Sequence, residues 1–344
     1  MSVYAFDDSG APVNSPFYTT LVILHGCAFN KETFRKLLPL AAQYKLRIVL
    51  LNRRAYPGSK PLTEEELHQF DGPDEQGHEQ YFGARAQELA EFLADFAVNQ
   101  HLPTASADSG GGIALMGWSA GNAYTLSLLS HAQAINESTI KQLEPFLRTM
   151  VIFEAPGYIV GRPLVRDGVF ILLDATCTEE DRFKMFGEYV STYFEHPSVT
   201  SHNIEDLHFI LDPKTQKFPR PSTTSTLTPD EYYELVWPKA AMKADVPAMA
   251  YPLEKFARWT EQAVFDDDLA QKFWPNLKVE VIWCEHSIAT CVEAGWVYED
   301  TKKECDSKGV TGRPMRVTMM PGANHFPHWD QPEKTIALFA NAIA

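Results

Sequence analysis

The sequence lacks an excess of basic residues. Its 344 residues carry 30 Lys and Arg against 45 Asp and Glu, which gives a formal net charge of −15. Nucleic acids and anionic membrane surfaces are bound through basic faces. We therefore expect neither of them as a partner. A small-molecule substrate is the expected ligand, and a homodimer stays open.

Paired cysteines and long apolar runs are also missing. The five cysteines form neither a CxxC motif nor a His/Cys cluster at zinc spacing. An odd, unpaired set of cysteines suits a reducing compartment. The sequence contains no run of about 18 apolar residues that could span a membrane, and its N-terminus has no signal-peptide pattern. A cytoplasmic protein without metal or organic cofactor is therefore expected.

Short apolar runs alternate with helical patterns along much of the chain. Strands are predicted at residues 20–25, 46–51, 113–116, 149–153, 278–283 and 316–320, and helices at 30–40, 79–100 and 333–344. The polar stretch 61–78 is predicted to be a loop. Strands that alternate with helices form a parallel sheet covered on both faces, so the fold class is α/β.

The strand pattern stops between residues 161 and 272, where helical, aromatic and proline-containing stretches replace it. Because this segment lies between two predicted strands, we expect an insertion above one strand end. The predicted domains are a core formed by residues 1–160 and 273–344 and a helical cap formed by residues 161–272. An aromatic cap favours a bulky apolar substrate.

A serine lies where the most distinctive apolar run ends. Gly117-Trp118-Ser119-Ala120-Gly121 follows the strand predicted at 113–116, and small and apolar residues at helical spacing come next. This pattern predicts a strand, a sharp turn and a helix, with Ser119 at the apex of the turn. The hydroxyl then lies beside a helix N-terminus, whose free N–H groups favour negative charge. Ser119 is the candidate nucleophile, and it needs a base within hydrogen-bond reach.

These motifs together resemble the α/β-hydrolase superfamily with a helical cap. The matching pieces are H-G at residues 25–26, N-R-R-A-Y-P-G-S at 52–59, G-W-S-A-G at 117–121 and G-A-N-H-F at 322–326. The second piece departs from the family's D-x-R-G-x-G-x-S, because Asn52 and Ala55 replace the Asp and the first Gly. The resemblance implies an α/β-hydrolase fold with a mostly parallel sheet, helices on both faces and a large cap inserted after the sixth core strand.

The family keeps its catalytic histidine after the last strand, which is where His325 stands. An imidazole titrates near neutral pH and suits a general base. His328, three residues later, is the alternative. His25 and Trp118 flank the predicted site and are candidate substrate-binding residues. A histidine at position 25 more often anchors its loop, however, and a tryptophan at position 118 more often packs.

The resemblance leaves two places for the acid that orients the imidazole. In the family it usually follows the strand predicted at 278–283, but this chain has Ser287 at the expected position and Glu285 two residues earlier. The other place follows the preceding core strand, where Glu154 stands. An unpaired carboxylate is costly at the end of an apolar strand, so Glu154 calls for a partner such as His325. Glu154 is the preferred acid and Glu285 the runner-up.

An oxyanion hole would use the backbone N–H groups of Cys27 and Ala120. With Ser119, His325 and Glu154 they predict acyl transfer through an acyl-enzyme. An aspartate at position 119 would instead have indicated an epoxide or haloalkane hydrolase.

The expected activity is hydrolysis of a carboxylic ester or lactone. The motifs E-A-P at 154–156 and P-G-A-N-H-F-P at 321–327 are similar to those of fungal zearalenone-type lactonases, which favours a polyketide-like substrate. One alternative is a non-hydrolytic protein on the same fold, such as a cyclase, an isomerase or a ligand receptor. Another is a C–C bond or thioester hydrolase.

Overall fold

A seven-stranded sheet forms the centre of the computed structural model, which describes residues 3–71, 75–106, 110–163, 169–210 and 220–344. The strands are β1 (Phe6–Asp8), β2 (Thr19–Leu24), β3 (Leu46–Leu51), β4 (Ile113–Trp118), β5 (Leu147–Phe153), β6 (Lys278–Cys284) and β7 (Met315–Met320). They lie in the order β1-β3-β2-β4-β5-β6-β7. Strands β2 to β7 are parallel, and β1 pairs with β3 in the antiparallel sense. The predicted α/β-hydrolase fold class is confirmed.

Helices connect the strands and cover both faces of the sheet. The α-helices are α1 (Glu64–His68), α2 (Glu75–Asn99), α3 (Gly121–Ser130), α4 (Glu137–Leu143), α5 (Val169–Leu172), α6 (Glu179–Val190), α7 (Pro229–Leu235), α8 (Pro238–Ala240), α9 (Val246–Met249), α10 (Leu253–Val264), α11 (Asp267–Lys272), α12 (Ala289–Lys308), α13 (Pro327–Asp330) and α14 (Pro332–Ala342). A π-helical segment, Ala241–Asp245, joins α8 to α9. Short 3-10 segments are Ala132–Ala134, Gly157–Val160, Ile204–Asp206 and Thr224–Thr226.

The central strands explain the continuous apolar runs of the sequence. Every residue of β2, β3, β4 and β5 is buried. A parallel sheet that is covered on both faces needs apolar residues at successive positions rather than at alternate ones. The strand at 46–51 has the predicted bounds, and the other five predicted strands differ from the observed ones by one or two residues.

Three local predictions differ from the structure. Strand β1 was not predicted. The predicted loop 61–78 is wrong in part, because it contains α1 and the beginning of α2; residues 72–74 lie outside the described residues. The predicted helix at 30–40 is a longer 3-10 helix, Lys31–Tyr44, which contains Pro39.

The segment between β5 and β6 follows the fifth described strand rather than a sixth as expected, and it contains α5 to α11 and, in its described residues, no strand of the sheet. Its last part is tied to the core, because α10 packs against α3. Arg313, which precedes β7, also donates hydrogen bonds to the carbonyl oxygens of Ala263 and Trp274 at 2.9 and 2.8 Å. The domain boundaries at 161 and 272, and a function of this block as a lid, stay predictions.

Two further observations concern the cysteines and the helices. All five cysteines are free. Among the helices that the structure describes, none has both the length and the apolar character needed to cross a membrane.

Candidate active site

Ser119 lies in a tight turn at the carboxyl end of β4, directly before α3. Its φ angle is +53°, in the left-handed region that non-glycine residues rarely adopt. The turn is fixed to the neighbouring strand, because the Ser119 N–H donates to the Phe153 carbonyl oxygen at 3.0 Å. Asn122 Nδ2 donates to both the Ser119 and the Phe153 carbonyl oxygens, at 2.9 and 3.0 Å. The predicted nucleophile is therefore held next to the residue that follows Phe153, which is Glu154.

Two glycines allow the loop after β2 to approach this turn. A Cβ atom at Gly26 would lie 2.8 Å from Ser119 Cβ and 3.3 Å from Ser119 Oγ. A Cβ atom at Gly121 would lie 2.5 Å from the Leu24 carbonyl oxygen. The distances of 2.8 and 2.5 Å are shorter than real contacts of a Cβ atom permit, so only glycine fits at these two positions without a shift. The peptide that precedes Cys27 therefore lies against the serine side chain.

Glu154 and His325 are brought together although they are far apart in the sequence. Glu154 is fully buried. Its Oε2 contacts His325 Nδ1 at 2.6 Å and also accepts the Ser287 hydroxyl, and its Oε1 accepts the Cys284 N–H at 2.6 Å. Three donors thus compensate the desolvation of the carboxylate.

The hydrogen bond to Glu154 sets the tautomer of His325. A carboxylate only accepts hydrogen bonds, so the proton of a neutral imidazole lies on Nδ1 and leaves Nε2 as an acceptor. Neither His325 Nε2 nor Ser119 Oγ makes a hydrogen bond to any residue that the structure describes. Both atoms therefore keep the capacity that a proton transfer between them needs.

Trp118 packs against the base. Its ring centroid lies 5.1 Å from that of His325, and its Nε1–H donates to the His325 carbonyl oxygen at 3.1 Å. The residue is only 1% exposed. In this structure Trp118 therefore packs against His325 and holds its backbone, and a contact between Trp118 and substrate stays a prediction.

The ring of His25 is held by its own loop and by Arg53. It is buried, with Nε2 accepting the Arg53 N–H at 3.1 Å and Nδ1 within 2.9 Å of the Gly26 carbonyl oxygen. Burial and the neighbouring Arg53 charge lower the pKa of His25 well below its usual range. Both ring nitrogens are engaged, so His25 anchors its loop here, and a contact between His25 and substrate stays a prediction.

The two alternatives lie elsewhere. Glu285 Oε2 accepts the Gly322 N–H at 2.8 Å, and within the described residues it makes no hydrogen bond to His325. His328 is fully buried and stacked on Phe34, with ring centroids 3.9 Å apart. Neither of its ring nitrogens has a partner among the described residues. Burial, reinforced by His325, lowers the pKa of His328 well below its usual range.

The candidate oxyanion donors are free in the described part of the chain. Ala120 occupies the N-cap position of α3, where N–H groups have no helical partner. Neither its N–H nor that of Cys27 donates a hydrogen bond to a described residue. The Cys27 thiol itself stays protonated, because burial and the nearby Asp245 raise its pKa. The contribution of Cys27 is thus its backbone rather than its sulfur.

A small cavity lies beside Ala120, between α3 and the segment that joins β5 to β6, which is called the inserted block below. Its volume is about 10 Å³, which holds about one water molecule. Asp245 is the one charged residue that lines it, and the other lining residues are Phe82, Ala123, Tyr124, Tyr158, Ala248, Met249 and Phe256. An ester or lactone therefore needs these walls to move apart before it reaches this side of the site.

The same acid–base pair also has the residue types of a metal site. Glu154, Cys291 and His325 each offer a ligand atom, and these atoms lie within 4.8 Å of one another. Both carboxylate oxygens of Glu154 already accept hydrogen bonds from N–H and O–H donors. A cation would have to displace these donors, so the arrangement fits a charge-orienting carboxylate better than a metal ligand.

Three residues of the site were not predicted. Ser287 stands where the resemblance expects an aspartate, and its hydroxyl donates to the carboxylate of Glu154; that expected position was the signal that it belongs to the site. Arg53 and Asp245 form a buried ion pair next to the loop of Cys27, with Arg53 Nη1 2.7 Å from Asp245 Oδ1. No sequence pattern links these two, since they are 192 residues apart.

Known proteins share this architecture at low identity. The chain is similar to a lipase-esterase related protein from Clostridium acetobutylicum ATCC 824, with 14% identity, a TM-score of 0.53 and coverage of 99% of this chain and 100% of that chain. It is also similar to an esterase from Exiguobacterium antarcticum, with 13% identity, a TM-score of 0.52 and coverage of 100% of this chain and 99% of that chain. A third similar structure is a mutant of epoxide hydrolase from Solanum tuberosum, with 11% identity, a TM-score of 0.52 and coverage of 98% of this chain and 94% of that chain.

These structural similarities establish the fold and leave the activity open. A search among curated proteins finds no match. The model of the alpha/beta hydrolase family, however, matches residues 21–338, which is nearly the whole sequence. The sheet order, the serine turn after β4 and this match lead to one conclusion: the chain belongs to the alpha/beta hydrolase family.

Proposed function

We propose that this protein is a serine hydrolase that cleaves a carboxylic ester or a lactone through an acyl-enzyme. The observation that carries the proposal is the 2.6 Å contact between His325 Nδ1 and the fully buried Glu154. His325 packs on Trp118, the residue before Ser119, and the Ser119 backbone is held in a left-handed conformation. Such strain persists only where the surroundings enforce it, and it is concentrated at functional sites.

The proposed roles use the atoms of the site that make no hydrogen bond to a described residue. Ser119 Oγ attacks the carbonyl carbon while His325 Nε2 takes its proton, and the carboxylate of Glu154 stabilises the imidazolium. The N–H groups of Cys27 and Ala120 receive the negative oxygen. His325 then returns the proton to the leaving alcohol, and water releases the acyl group by the same steps. The proposal adds a contact between Ser119 Oγ and His325 Nε2; such hydrogen bonds are often long without substrate and tighten in the complex.

The nucleophile supports acyl transfer over the other chemistries of the fold. A serine attacks a carbonyl and is released by hydrolysis of an ester, whereas a nucleophilic carboxylate would suit epoxide opening. The acid–base pair alone also suits a receptor, cyclase or isomerase on this fold, so turnover of an ester is the observation that separates these functions. The aromatic walls around Ala120 support an apolar acyl or polyketide-like group as the substrate class. A cytoplasmic location, which five free cysteines suit, belongs to the same proposal.

A fluorophosphonate probe and a p-nitrophenyl ester test this function together. We expect labelling of Ser119 in the wild type, and loss of labelling and a fall in kcat of at least about 10³-fold in Ser119→Ala. Ser130→Ala is the matched control, because Ser130 ends the same helix and its hydroxyl contacts only its own and neighbouring turns. Full turnover by Ser119→Ala would refute the proposal. Labelling without turnover of a series of esters and lactones would favour a receptor instead.

A further inference from the structure

Arg53 holds the peptide groups that precede the candidate oxyanion donor Cys27. Its side chain is buried, with Nε donating to the His25 carbonyl oxygen at 3.1 Å and Nη2 donating to the Gly26 carbonyl oxygen at 2.8 Å. The Gly26 carbonyl and the Cys27 N–H belong to one trans peptide group, so they point in opposite directions. By binding the carbonyl, Arg53 directs the Cys27 N–H away from itself.

Asp245, in the inserted block, holds the next peptide. Its Oδ1 accepts Arg53 Nη1 at 2.7 Å, and its Oδ2 accepts the Tyr56 hydroxyl and the Ala28 N–H, the latter at 3.3 Å. Ala28 has a φ angle of +64°, a conformation that costs a non-glycine residue about 1–2 kcal/mol. Asp245 therefore supports a strained loop, and together with Arg53 it fixes the peptide groups on both sides of Cys27.

Asp245 also lies close to the second candidate donor. It lines the small cavity beside Ala120. It is only 2% exposed, and a buried carboxylate that lost its partners would be costly. The two charges thus stay together, and the loop position depends on a residue that the inserted block supplies.

From these contacts we infer that Asp245 is a positioning residue which completes the oxyanion hole from the inserted block, acting through Arg53 and the peptide groups of residues 26–28. The inference rests on the proposed function. Its consequence is that the hole is assembled only when the segment that carries Asp245 is seated on the core. Substrate binding and the assembly of the hole are then coupled.

Asp245→Asn is the variant that tests this role, because it keeps the side-chain shape and removes the charge. We expect kcat on a p-nitrophenyl ester and the rate of fluorophosphonate labelling to fall about 10- to 100-fold, since the loss of one oxyanion donor outright costs about 10²–10³. KM is expected to stay within about threefold. Glu66→Gln is the matched control: it weakens the salt bridge between Glu66 and Arg54, a pair outside the site, and should leave both rates unchanged.

A second substrate separates positioning from general destabilisation. A thionoester carries sulfur in place of the carbonyl oxygen and depends less on hydrogen-bond donors in the hole. Asp245→Asn should therefore lose less rate on the thionoester than on the oxygen ester, whereas partial unfolding would lower both rates equally. If Asp245→Asn does not fold, Tyr56→Phe replaces it, because it removes one hydrogen bond to Asp245 Oδ2; the same ratio should change in the same direction.

The outcomes are distinguishable from a failure of the proposed function. If Ser119→Ala keeps wild-type turnover, the function itself is wrong. If Ser119→Ala is inactive while the folded Asp245 or Tyr56 variant keeps a wild-type ratio of ester to thionoester rates, only the role of Asp245 is overturned.

Discussion

Replacing Glu154 by Gln examines the candidate acid with the smallest change of shape. The carboxylate accepts hydrogen bonds from Cys284 N–H, the Ser287 hydroxyl and His325 Nδ1–H. A glutamine amide has one oxygen for these three donors, so its NH₂ group must face at least one of them. If the NH₂ group faces His325, the imidazole proton moves to Nε2, and the base loses its acceptor for the proton of Ser119.

The expected fall in kcat follows from the change of the His325 tautomer. A carboxylate-to-amide change in a serine triad lowers kcat by about 10⁴-fold through the wrong tautomer. Because the amide can also turn its oxygen towards His325, we expect a fall of about 10³- to 10⁴-fold, equivalent to about 4–5.5 kcal/mol of barrier. The free energy of unfolding should change less, since the variant also avoids burying a charge.

The measurement is kcat on a p-nitrophenyl ester, with thermal unfolding as a check on folding. Glu285→Gln is the matched control, because the Glu285 side chain accepts one hydrogen bond within the described residues, from the Gly322 N–H, lies 4.0 Å from His286 Nε2 and is more exposed than Glu154; its kcat should stay within about threefold. The reasoning is refuted if a folded Glu154→Gln keeps more than a tenth of the wild-type kcat, or if Glu285→Gln is the more damaged variant.

Three further outcomes are expected. Gly26→Ala places a Cβ atom 2.8 Å from Ser119 Cβ and should lower kcat/KM at least about tenfold; Gly83→Ala, whose nearest contact would be 3.6 Å away, should not. Burial lowers the pKa of His196 to about 4 from 6.5. The unfolded chain therefore binds a proton first, and stability that is full above pH 6.5 should fall by roughly 3 kcal/mol towards pH 4. Urea unfolding of wild type and His196→Asn checks this, and equal pH slopes would contradict it. His328→Leu removes a buried imidazole without a hydrogen bond among the described residues; kcat should stay within about threefold, whereas a large loss would identify His328 as the base.

The sheet was largely predictable because burial on both faces leaves an unbroken apolar run, as in β3. Strand β1 has no such signature: it is three residues long, partly exposed and held at the sheet edge by pairing with β3. Helix α1, by contrast, has a start signal in the sequence. Thr63 and Glu66 form a capping box, in which each side chain accepts a hydrogen bond from the other residue's backbone N–H.

The site was predictable wherever a motif fixes it in sequence. The placement of Ser119 follows from its turn, and the juxtaposition of Glu154 and His325 follows from the cost of an unpaired carboxylate. The side-chain environments of Trp118 and His25 depend on which residues pack around them, which a local pattern does not contain. The pairing of Arg53 with Asp245 depends on how the inserted block lies on the core, so no sequence spacing could indicate it.

Ser287 marks a second position for an acid beside the candidate base. Its hydroxyl lies 3.5 Å from His325 Nδ1 as well as against the carboxylate of Glu154. The His325 imidazole thus has two neighbouring positions for an acidic partner, residue 154 after β5 and residue 287 after β6. An acidic side chain at residue 287 would therefore lie within reach of the same imidazole, and the acid could change strands while the base keeps its place.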